Sequence, residues 1–391
     1  MKKKLVVLGR GTAGSQAMAH FAYWLSDYEL EWHFDSNIKT QSVGEGSTLS
    51  LPKSMFQTMA FSHSDLDKVD GTLKTGVAKE GWGKTGKYFF HDFPPPAVSY
   101  HFNAVKLQDY ILDRLQNKVK IVDHNVKSSD IDADYIVDCS GVPETMDDFD
   151  VAKYVSVNAV HVNQCFWDYP RFQYTLAIAR PYGWVFGIPL KNRCSIGYMY
   201  NKDINSLEEI KEDILNVINQ YKLTPSDTTN TFSFKSYCRK ENFTDRIAYN
   251  GNASFFLEPL EATSIGAMDL IQRNVCDILR GRKLPSHSNQ VYHMFLNQVE
   301  RFVMMHYFAG SPFNTPFWNY AQERGARCME DVRTDLKFKE MWENTKDLTS
   351  INEKYWLIDG KFDEYGVWWT GSFFQNIRGL NIETEIANIF A

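Results

Sequence analysis

The sequence predicts an α/β protein that begins with a parallel sheet, continues with a mixed or antiparallel sheet, and ends in helices. A short aliphatic run, KLVVL, leads through a glycine turn into a helical pattern. Aliphatic and aromatic runs interrupted by glycine and proline fill residues 174–200, as expected of sheet strands. Residues 289–308 place apolar side chains at helical spacing. The first pattern is typical of a parallel sheet, and the other two add a second sheet and a helical region.

The composition describes a folded protein and excludes several classes. The chain has 391 residues, of which 43% are hydrophobic and 15% aromatic, enough for a large core in one to three domains. A net charge of −6 without a long basic run argues against a nucleic-acid partner. Six scattered cysteines without a CxxC pair indicate reduced thiols, no metal site and a cytoplasmic location. The first apolar run ends at Arg10, too early for a signal peptide, and no other stretch is long enough to span a membrane.

A glycine-rich turn directly follows the first predicted strand and opens the first predicted helix. The turn has the pattern GxGxxG, formed by Gly9, Gly11, Thr12, Ala13 and Gly14. In this setting the glycines permit a tight turn and a close approach of backbone to a pyrophosphate at the helix N-terminus. Further on, Asp35 ends a second predicted strand, where its carboxylate is placed to accept a ribose hydroxyl. The alternative interpretation of Asp35 is a solvated carboxylate at a strand end.

The remaining nucleotide-binding signals favour FAD over NAD. A second glycine-rich fingerprint, which an enzyme with two dinucleotides would carry, is absent. The segment SVGEGST contains Gly44 and Glu45. The strand ADYIVDCSGV runs into Ser140 and Gly141, a pattern of flavoproteins whose backbone closes over the cofactor. The last strand of the module returns near Gly251, so the module is predicted to be discontinuous.

Further elements follow from the spacing of hydrophobic residues. Helices are predicted over residues 100–116 and 207–221, and a strand over 118–122. Residues 245–279 are predicted to form a strand, a Gly-Asn turn and then a helix. If the segment GTLKTGVAKEGWG is extended, Leu73, Thr75 and Val77 lie on one face. This pattern leaves open whether Lys74 is a surface charge or a reactive amine.

Several uncommon motifs occur in a fixed order between residues 4 and 318. They are VGEGST, LKTGVAKEGW, YFFHDF, YGWVFGIPL, FFLEPLEATSIGAMDLIQ and FVMMHYFAGSPFNTPFW. With these motifs the chain resembles the flavin-dependent halogenases, the group related to tryptophan halogenases. YGWVFGIPL is similar to the WxWxIP signature of that family, and FFLEPLEATSI is similar to its FxEPLESTxI segment.

The resemblance implies an FAD-dependent monooxygenase-like fold with a Rossmann-type FAD-binding module. It divides the chain into four parts. These are the first part of the FAD module with the lysine and pocket segment (1–150), a substrate-side sheet and helix (151–244), the return of the FAD module with a halide-site helix (245–288), and a C-terminal helical region (289–391).

The resemblance also implies a reaction. FADH₂, dioxygen and a halide ion (chloride, bromide or iodide) give hypohalous acid, which halogenates a small electron-rich aromatic substrate of the indole, phenol or pyrrole type. A separate flavin reductase supplies the FADH₂, because the chain shows no FMN or NADH module. Since released hypohalous acid would attack at random, a sheltered path to the substrate is required. Assembly as a homo-oligomer stays open.

Two residues match catalytic positions of the family. Lys74 matches the essential lysine, which would hold the oxidant by a hydrogen bond or by a transient nitrogen–halogen bond. Arginine could not replace it, because arginine does not give up a proton. Glu261 matches the acid that removes the ring proton, whereas the resemblance makes the competing Glu258 structural. Without the resemblance, Lys74 would be a solvated lysine and Glu261 an acid favoured by a helix dipole.

Three further pairs of residues receive roles by resemblance. They are the halide-binding backbone N–H groups of Thr263 and Ser264, the pocket-lining His91 and Phe93, and Trp184 and Phe186, which would keep bulky substrates away from the flavin. The halide would lie at a helix N-terminus, where partial positive charge gathers. A satisfied buried histidine and core aromatic residues are the corresponding structural alternatives.

The chain departs from the family pattern at several positions. Phe186 replaces the second tryptophan of WxWxIP, Ala262 replaces a serine, and Ser264 stands where tryptophan-specific members have glycine. Ala78 occupies the position of the second lysine in the lysine segment, and Lys79, one place later, is expected at the surface. The part after residue 318 is short, so the elements that clamp a free amino acid are expected to be reduced. The WWTGSFF segment is expected to pack at the C-terminal end or to form a substrate shelf.

Two other functions remain as alternatives. An FAD-dependent aromatic monooxygenase would add oxygen to the ring and would need no lysine in its active site. A non-catalytic flavin-binding protein would bind FAD and halogenate nothing.

Overall fold

The structure is a computed structural model that describes residues 2–38, 45–93, 97–346, 348 and 364–391. The chain forms two compact units, each built from three segments. The first unit comprises Met1–Gly71, Tyr100–Ala152 and Ser236–Leu296, and the second comprises Thr72–Ser99, Lys153–Lys235 and Asn297–Ala391. The boundaries predicted at residues 150, 244 and 288 stay predictions.

The regular elements of the described residues are as follows. The helices are α1 Thr12–Trp24, α2 Ser50–Met59, α3 Ala104–Leu115, α4 Leu207–Gln220, α5 Thr263–Leu279, α6 Pro285–Ala309, α7 Pro316–Val332, α8 Leu336–Lys346, α9 Thr370–Leu380 and α10 Glu383–Ile389. The strands are β1 Lys4–Leu8, β2 Glu29–Phe34, β3 Thr72–Lys74, β4 Gly76–Glu80, β5 Phe89–Asp92, β6 Ser99–His101, β7 Lys120–Asp123, β8 Tyr135–Asp138, β9 Phe149–Val151, β10 Ala159–Phe166, β11 Thr175–Arg180, β12 Gly183–Pro189, β13 Arg193–Tyr200, β14 Thr224–Ser233, β15 Tyr237–Arg239, β16 Ile247–Tyr249, β17 Phe255–Phe256, β18 Glu364–Tyr365 and β19 Trp368–Trp369.

The first unit contains a parallel sheet in the order β16-β8-β1-β2-β7. Strand β1 is central and its residues Leu5–Val7 are fully buried, as expected of a strand covered on both faces. Helix α1 packs its buried Ala17 and Phe21 into this core. The predicted parallel sheet is therefore confirmed, including the return of its last strand, β16, close to residue 250.

The second unit contains a mixed sheet in the order β14-β10-β13-β12-β11-β4-β5. Only the β4–β11 pair is parallel among the pairings described for this sheet. Helix α4 packs the buried Ile210, Ile214 and Val217 into a core that includes Ile178 and Val185 of the sheet. The predicted mixed sheet and the helix over 207–221 are thus confirmed.

The helix predicted over residues 100–116 starts later than expected. Residues Ser99–His101 form strand β6, and helix α3 begins at Ala104. The side chain of Asn103 accepts a hydrogen bond from the backbone N–H of Lys106, a typical N-cap that ends the extended segment. The apolar spacing predicted the helix but not this cap.

An aromatic core lies in the second unit around Trp82. Its indole ring packs against those of Trp184 and Trp318, with ring centroids 6.3 Å and 5.5 Å away. The ring of Tyr307 in helix α6 lies 5.8 Å from Trp82.

Among the described residues, no helix has both the length and the hydrophobicity needed to cross a membrane.

Candidate functional site

The glycine turn of the first unit has the geometry of a dinucleotide cradle. Gly9 has φ +99°, and a Cβ atom there would lie 2.5 Å from the carbonyl oxygen of Cys139, so only glycine fits. At Gly11, the N-cap of α1, a Cβ atom would meet no heavy atom of the described residues within 4 Å. The first N–H groups of α1 therefore begin beside open space. A pyrophosphate fits such a helix N-terminus.

Two other predicted segments border this turn within the first unit. The Oδ1 atom of Asp138, at the end of β8, accepts a hydrogen bond of 2.9 Å from the backbone N–H of Ser140. Gly141 follows with φ +112°. Gly251 has φ +60°, and a Cβ atom there would lie 2.6 Å from Cβ of Ala13. The structure therefore brings the segments at residues 13, 140 and 251 together around the turn.

Asp35 lies directly after β2, as the sequence predicts. Its Oδ1 atom accepts hydrogen bonds from the backbone N–H and the side-chain amide of Asn37, at 2.9 Å and 3.0 Å. A carboxylate offers about four lone-pair sites, so these two bonds leave room for a ribose hydroxyl. The cofactor role of Asp35 stays a prediction. Gly44 lies outside the described residues.

Arg10 is a feature of the cradle that the sequence reasoning did not assign. Its guanidinium forms an ion pair of 2.7 Å with Asp109 of α3 and lies 5.5 Å from the ring centroid of Phe34, the last residue of β2. The only sequence signal was its position between Gly9 and Gly11. The structure thus places a cation beside the strand end that precedes Asp35.

The loop that contains Glu45 reaches helix α5 within the first unit. The Glu45 side chain is buried. The backbone carbonyl oxygen of Glu45 accepts a hydrogen bond of 3.0 Å from the backbone N–H of Phe102. A Cβ atom on the next residue, Gly46, would lie 3.9 Å from Cβ of Ala262. Gly46 of the VGEGST motif and Ala262 of the EPLEATS motif, far apart in the chain, therefore lie side by side.

The turn before α5 has an unusual backbone. Glu261 and Ala262 both have left-handed dihedral angles, with φ +71° and +57°, and Thr263 returns to the right-handed region. Each left-handed non-glycine residue costs roughly 1–2 kcal/mol. A left-handed residue followed by a right-handed one turns successive N–H groups toward one concave side, which binds anions. The arrangement suits a halide at the N–H groups of Thr263 and Ser264.

Thr263 gives this turn a second polar feature. Its side chain is buried, and within the described ranges its Oγ1 atom has no hydrogen-bond partner. The N-cap of α5 is Ala262, which has no polar side chain to cap the helix. Helix α5 has 17 residues, and no side chain caps its first backbone N–H groups. These N–H groups are therefore open to an anion or a polar ligand group.

The two candidate acids, Glu258 and Glu261, lie on the same segment of the first unit. Both side chains are buried, and Glu258 is the more deeply buried of the two. The left-handed conformation belongs to Glu261. Backbone strain of this kind tends to occur at functional positions, which favours Glu261 over Glu258 as the acid.

In the second unit, Lys74 ends strand β3 and is only 1% exposed. The Oγ1 atom of Thr72 in the same strand donates a hydrogen bond of 2.8 Å to the carbonyl oxygen of Pro189. The Nζ atom of Lys74 lies 5.6 Å from the ring centroid of Phe93, within the range of a cation–π contact. Burial removes the alternative of a solvated lysine.

Phe93 lies beside Lys74 in the second unit, and His91 lies beside Phe93. The rings of His91 and Phe93 are 6.2 Å apart in an edge-to-face arrangement, and the His91 side chain is buried. The Nε2 atom of His91 is 2.9 Å from the hydroxyl oxygen of Ser372 in α9. Phe93 therefore contacts both Lys74 and His91. Their chemical roles stay predictions.

Trp184 and Phe186 occupy neighbouring positions on one face of β12. Their rings are 6.2 Å apart, and Trp184 is buried in the aromatic core with Trp82. Phe186 is half-buried and packs over Gly197. These contacts are those of core aromatic residues, so the role of shielding the flavin from substrate stays a prediction.

Lys79 is not at the surface, and that prediction was wrong. Its side chain is 0% exposed, and its Nζ atom is 2.5 Å from both Nε2 of His306 and Oδ1 of Asn376. Neighbouring residues of a strand face opposite sides of the sheet. Ala78 therefore packs into the core that contains Ile178, whereas Lys79 points to the other side.

The WWTGSFF segment packs inside the second unit. Trp368 stacks on Phe302 with ring centroids 3.8 Å apart, and Phe373 lies 5.2 Å from the same ring. The expected packing role is confirmed for these two residues. Helix α9 begins within this segment, at Thr370. The contact of its Ser372 with His91 was not predicted from the sequence.

Comparison with solved structures defines the fold. MibH, described as a lathipeptide tryptophan 5-halogenase, superposes with a TM-score of 0.78 at 16% identity, covering 97% of this chain and 86% of that chain. BrvH, a flavin-dependent halogenase from Brevundimonas sp. BAL3, gives a TM-score of 0.74 at 16% identity, covering 99% and 96%. The fold is therefore that of flavin-dependent halogenases.

Sequence comparison gives the family. Residues 4–122 and 106–358 match the model of the tryptophan halogenase family, so the chain belongs to that family. Tryptophan 7-halogenase RebH of Lentzea aerocolonigenes is 22% identical over 259 residues, which are 58% of this chain and 48% of that protein. The chain thus spans about half the length of RebH and less than half of other curated relatives that it matches. Members of the family use FAD.

Proposed function

We propose that this chain is a flavin-dependent halogenase of an electron-rich aromatic substrate, of the indole, phenol or pyrrole type. The observation that carries the proposal is the burial of Lys74 with its amine 5.6 Å from the ring centroid of Phe93, a ring that also contacts His91. A lysine is rarely buried fully unless its amine is paired, so this position holds the Lys74 amine in a defined place. In the resemblance described above, this lysine holds the oxidised halogen.

The first unit supplies the residues that would hold FAD. These are Gly9, Gly11, Thr12, Ala13, Gly14, Asp35, Glu45, Ser140, Gly141 and Gly251. Reduced FAD, delivered by a separate flavin reductase, supplies with dioxygen the oxidation FADH₂ + O₂ + X⁻ + H⁺ → FAD + HOX + H₂O. The glycine turn keeps the backbone close to the pyrophosphate, and the start of α1 compensates its charge.

The turn before α5 would bind the halide ion. The backbone N–H groups of Thr263 and Ser264 donate to it, and the partial positive charge of the helix start favours an anion there. The chemistry does not distinguish chloride, bromide and iodide, although the heavier ions are easier to oxidise.

Lys74 would control the hypohalous acid. Its amine holds HOX by a hydrogen bond, or it forms a nitrogen–halogen bond in the step RNH₂ + HOX → RNHX + H₂O. Burial keeps bulk water from this position, so the oxidant is not lost by diffusion. His91 and Phe93 would line the aromatic pocket, and Trp184 and Phe186 would keep a bulky substrate away from the flavin.

Glu261 would complete the substitution. Attack of the ring on the electrophilic halogen gives a cationic ring, which must lose the proton on the attacked carbon. A carboxylate stabilises that cation and takes its proton. The overall substitution is ArH + HOX → ArX + H₂O, and Glu261 returns the proton to the released hydroxide or to water.

The test uses the full chain with FAD, a flavin reductase with NADH, oxygen and bromide. Tryptophan, indoles, phenols and pyrroles are offered as a panel, and products are analysed by mass spectrometry. We expect at least one product with the isotope pattern of bromine. A product with one added oxygen and no bromine would instead favour the aromatic monooxygenase, and bound FAD without any product would favour the non-catalytic flavin-binding protein.

A further inference from the structure

A buried lysine cluster, formed by Lys79, His306 and Asn376, lies in the second unit and has no part in the proposed reaction. It joins strand β4 to helices α6 and α9. The Nζ atom of Lys79 is 2.5 Å from both Nε2 of His306 and Oδ1 of Asn376, and it lies 5.7 Å from the ring centroid of Phe89. All three members of the cluster are 0% exposed. Burying an ammonium group is costly unless its hydrogen bonds are made.

The hydrogen bonds around the cluster favour donation by the Lys79 ammonium. Nδ1 of His306 is 3.0 Å from the carbonyl oxygen of Phe302, which only accepts, so Nδ1 carries a proton. The side-chain amide of Asn376 donates from Nδ2 to the carbonyl oxygen of Ser372 at 2.8 Å, so Oδ1 faces Lys79. In the neutral imidazole Nε2 is then an acceptor, so Nε2 of His306 and Oδ1 of Asn376, which are 3.1 Å apart, both accept from the ammonium. Removal of the Lys79 ammonium would leave both buried acceptors without this donor. The free energy of unfolding would fall by about 1–3 kcal/mol for each acceptor.

Asn376 shares one face of α9 with Ser372 and Gln375, because residues three and four apart in a helix are neighbours. The same face binds strand β5. The hydroxyl oxygen of Ser372 is 2.9 Å from Nε2 of His91. Oε1 of Gln375 accepts a hydrogen bond of 2.5 Å from the backbone N–H of Asp92, and Nε2 of Gln375 donates to the carbonyl oxygen of Asp92 at 3.3 Å. One helix face thus links the buried lysine cluster to the pocket strand.

We propose that Lys79 is a positioning residue for the aromatic pocket: its ammonium fixes helix α9, and Ser372 on that helix fixes the imidazole ring of His91. The inference rests on the proposed function only where it assigns His91 to the substrate pocket. Lys79 itself touches neither the substrate nor the oxidant in this scheme. It determines how well the ring is held, and therefore substrate affinity and the site of halogenation.

The first test observes His91 directly. Protein with ¹⁵N-labelled histidine rings is compared by NMR, and the His91 signals are assigned by their loss in His91→Gln. Lys79→Met keeps an unbranched apolar side chain but removes the donors. Lys84→Met is the matched control, because Lys84 is exposed and its ammonium pairs with Glu385. We expect the His91 ring signals to shift in Lys79→Met and in Ser372→Ala, and to stay in place in Lys84→Met.

The second test uses steady-state kinetics with indole and bromide as the probe. We expect KM for indole to rise between about tenfold and about a hundredfold in Lys79→Met, the size of effect seen when a reacting group is misplaced. Formation of hypobromous acid without indole should stay close to the wild-type rate. If both residues act on the same ring, the combined variant Lys79→Met with Ser372→Ala is no worse than the worse single variant.

Unchanged His91 signals in Lys79→Met would overturn the inference, and so would effects on KM that add in the combined variant. If Lys79→Met does not fold, Asn376→Ser breaks the same contact from the helix side and is judged by the same outcomes. A wild-type protein that brominates no indole would contradict the proposed function for that substrate. The NMR comparison would then decide the positioning role alone.

Discussion

Ala262 shows how a single residue carries strain at the proposed halide site. It is an alanine with φ +57° and ψ +35°, directly after a glutamate that is also left-handed. Neither residue type prefers this conformation, which glycine adopts without penalty. The turn is therefore held by the surrounding structure of the first unit rather than by its own sequence.

A glycine at position 262 should stabilise the protein. Ala262→Gly relieves roughly 1–2 kcal/mol of strain and loses about 0.5–1 kcal/mol to the entropy of the unfolded chain, so we expect a net gain of about 0.5–1 kcal/mol. Ala267→Gly, inside α5, is the matched control and should lower stability by about 1 kcal/mol. Urea denaturation measures both. A loss of stability in Ala262→Gly would show that the turn is not strained.

His20 gives the first unit a pH-dependent stability. Burial, together with the positive charges of Arg273 and Arg280, lowers the pKa of His20 to about 4. The unfolded chain takes up this proton near the ordinary pKa of about 6.5. Stability is therefore fully present above pH 6.5 and falls as the pH drops from about 6.5 to about 4, by about 2–3 kcal/mol. We expect His20→Gln to lose less stability between pH 7 and pH 4.5 than the wild type in denaturant titrations. An equal loss in both proteins would exclude His20 as the cause.

The residue scale is also where sequence reasoning was least complete. The motifs assigned Lys74 to catalysis and His91 and Phe93 to the pocket, and the structure places Phe93 in contact with both of the others. Lys79 was misplaced because both faces of strand β4 are buried: Ala78 packs into the core on one side, and Lys79 on the other side contacts His306 and Asn376. Its partners, His306 and Asn376, are more than 200 residues away in sequence, and no local pattern could predict them.

At the scale of elements, helix α1 and its glycine turn depend on close contacts with distant segments. Gly251 lies so close to Ala13 that a Cβ atom on residue 251 would be 2.6 Å from Cβ of Ala13. The pattern GxGxxG predicted the turn and its ligand class, because strand, turn and helix are contiguous in sequence. The contact between residues 13 and 251 could not be predicted from local spacing, since it depends on the return of β16 to the sheet.

Substitution of Gly251 should weaken the FAD site selectively. Gly251→Ala adds a methyl group against Ala13, which displaces the turn beside α1, so we expect the Kd for FAD to rise about tenfold or more. Gly281→Ala is the matched control, because Gly281 also has positive φ (+67°) but has no heavy atom of the described residues within 4 Å of its Cβ position. Quenching of flavin fluorescence measures both affinities. Equal FAD affinity in the two variants would remove Gly251 from the cofactor site.

Across the whole molecule, the two sheets were predictable because each has its own sequence pattern. Short aliphatic runs before glycine gave the parallel sheet, and paired runs around Gly183 and Pro189 gave the mixed sheet. The family motifs predicted the likeness to flavin-dependent halogenases, and both the fold and the family are confirmed. The substrate could not be predicted, because pocket shape depends on contacts such as that of α9 with β5, which no motif records.

The most direct measurement of the central claim compares Lys74→Met with the wild type and with the exposed control Lys84→Met. Each protein receives FADH₂, oxygen, bromide and the best aromatic substrate of the panel, and both hypobromous acid and aryl bromide are measured. We expect Lys74→Met to form hypobromous acid at nearly the wild-type rate while its aryl bromide falls by about 10²-fold or more. Aryl bromide at the wild-type rate in Lys74→Met would contradict the proposed role of the lysine.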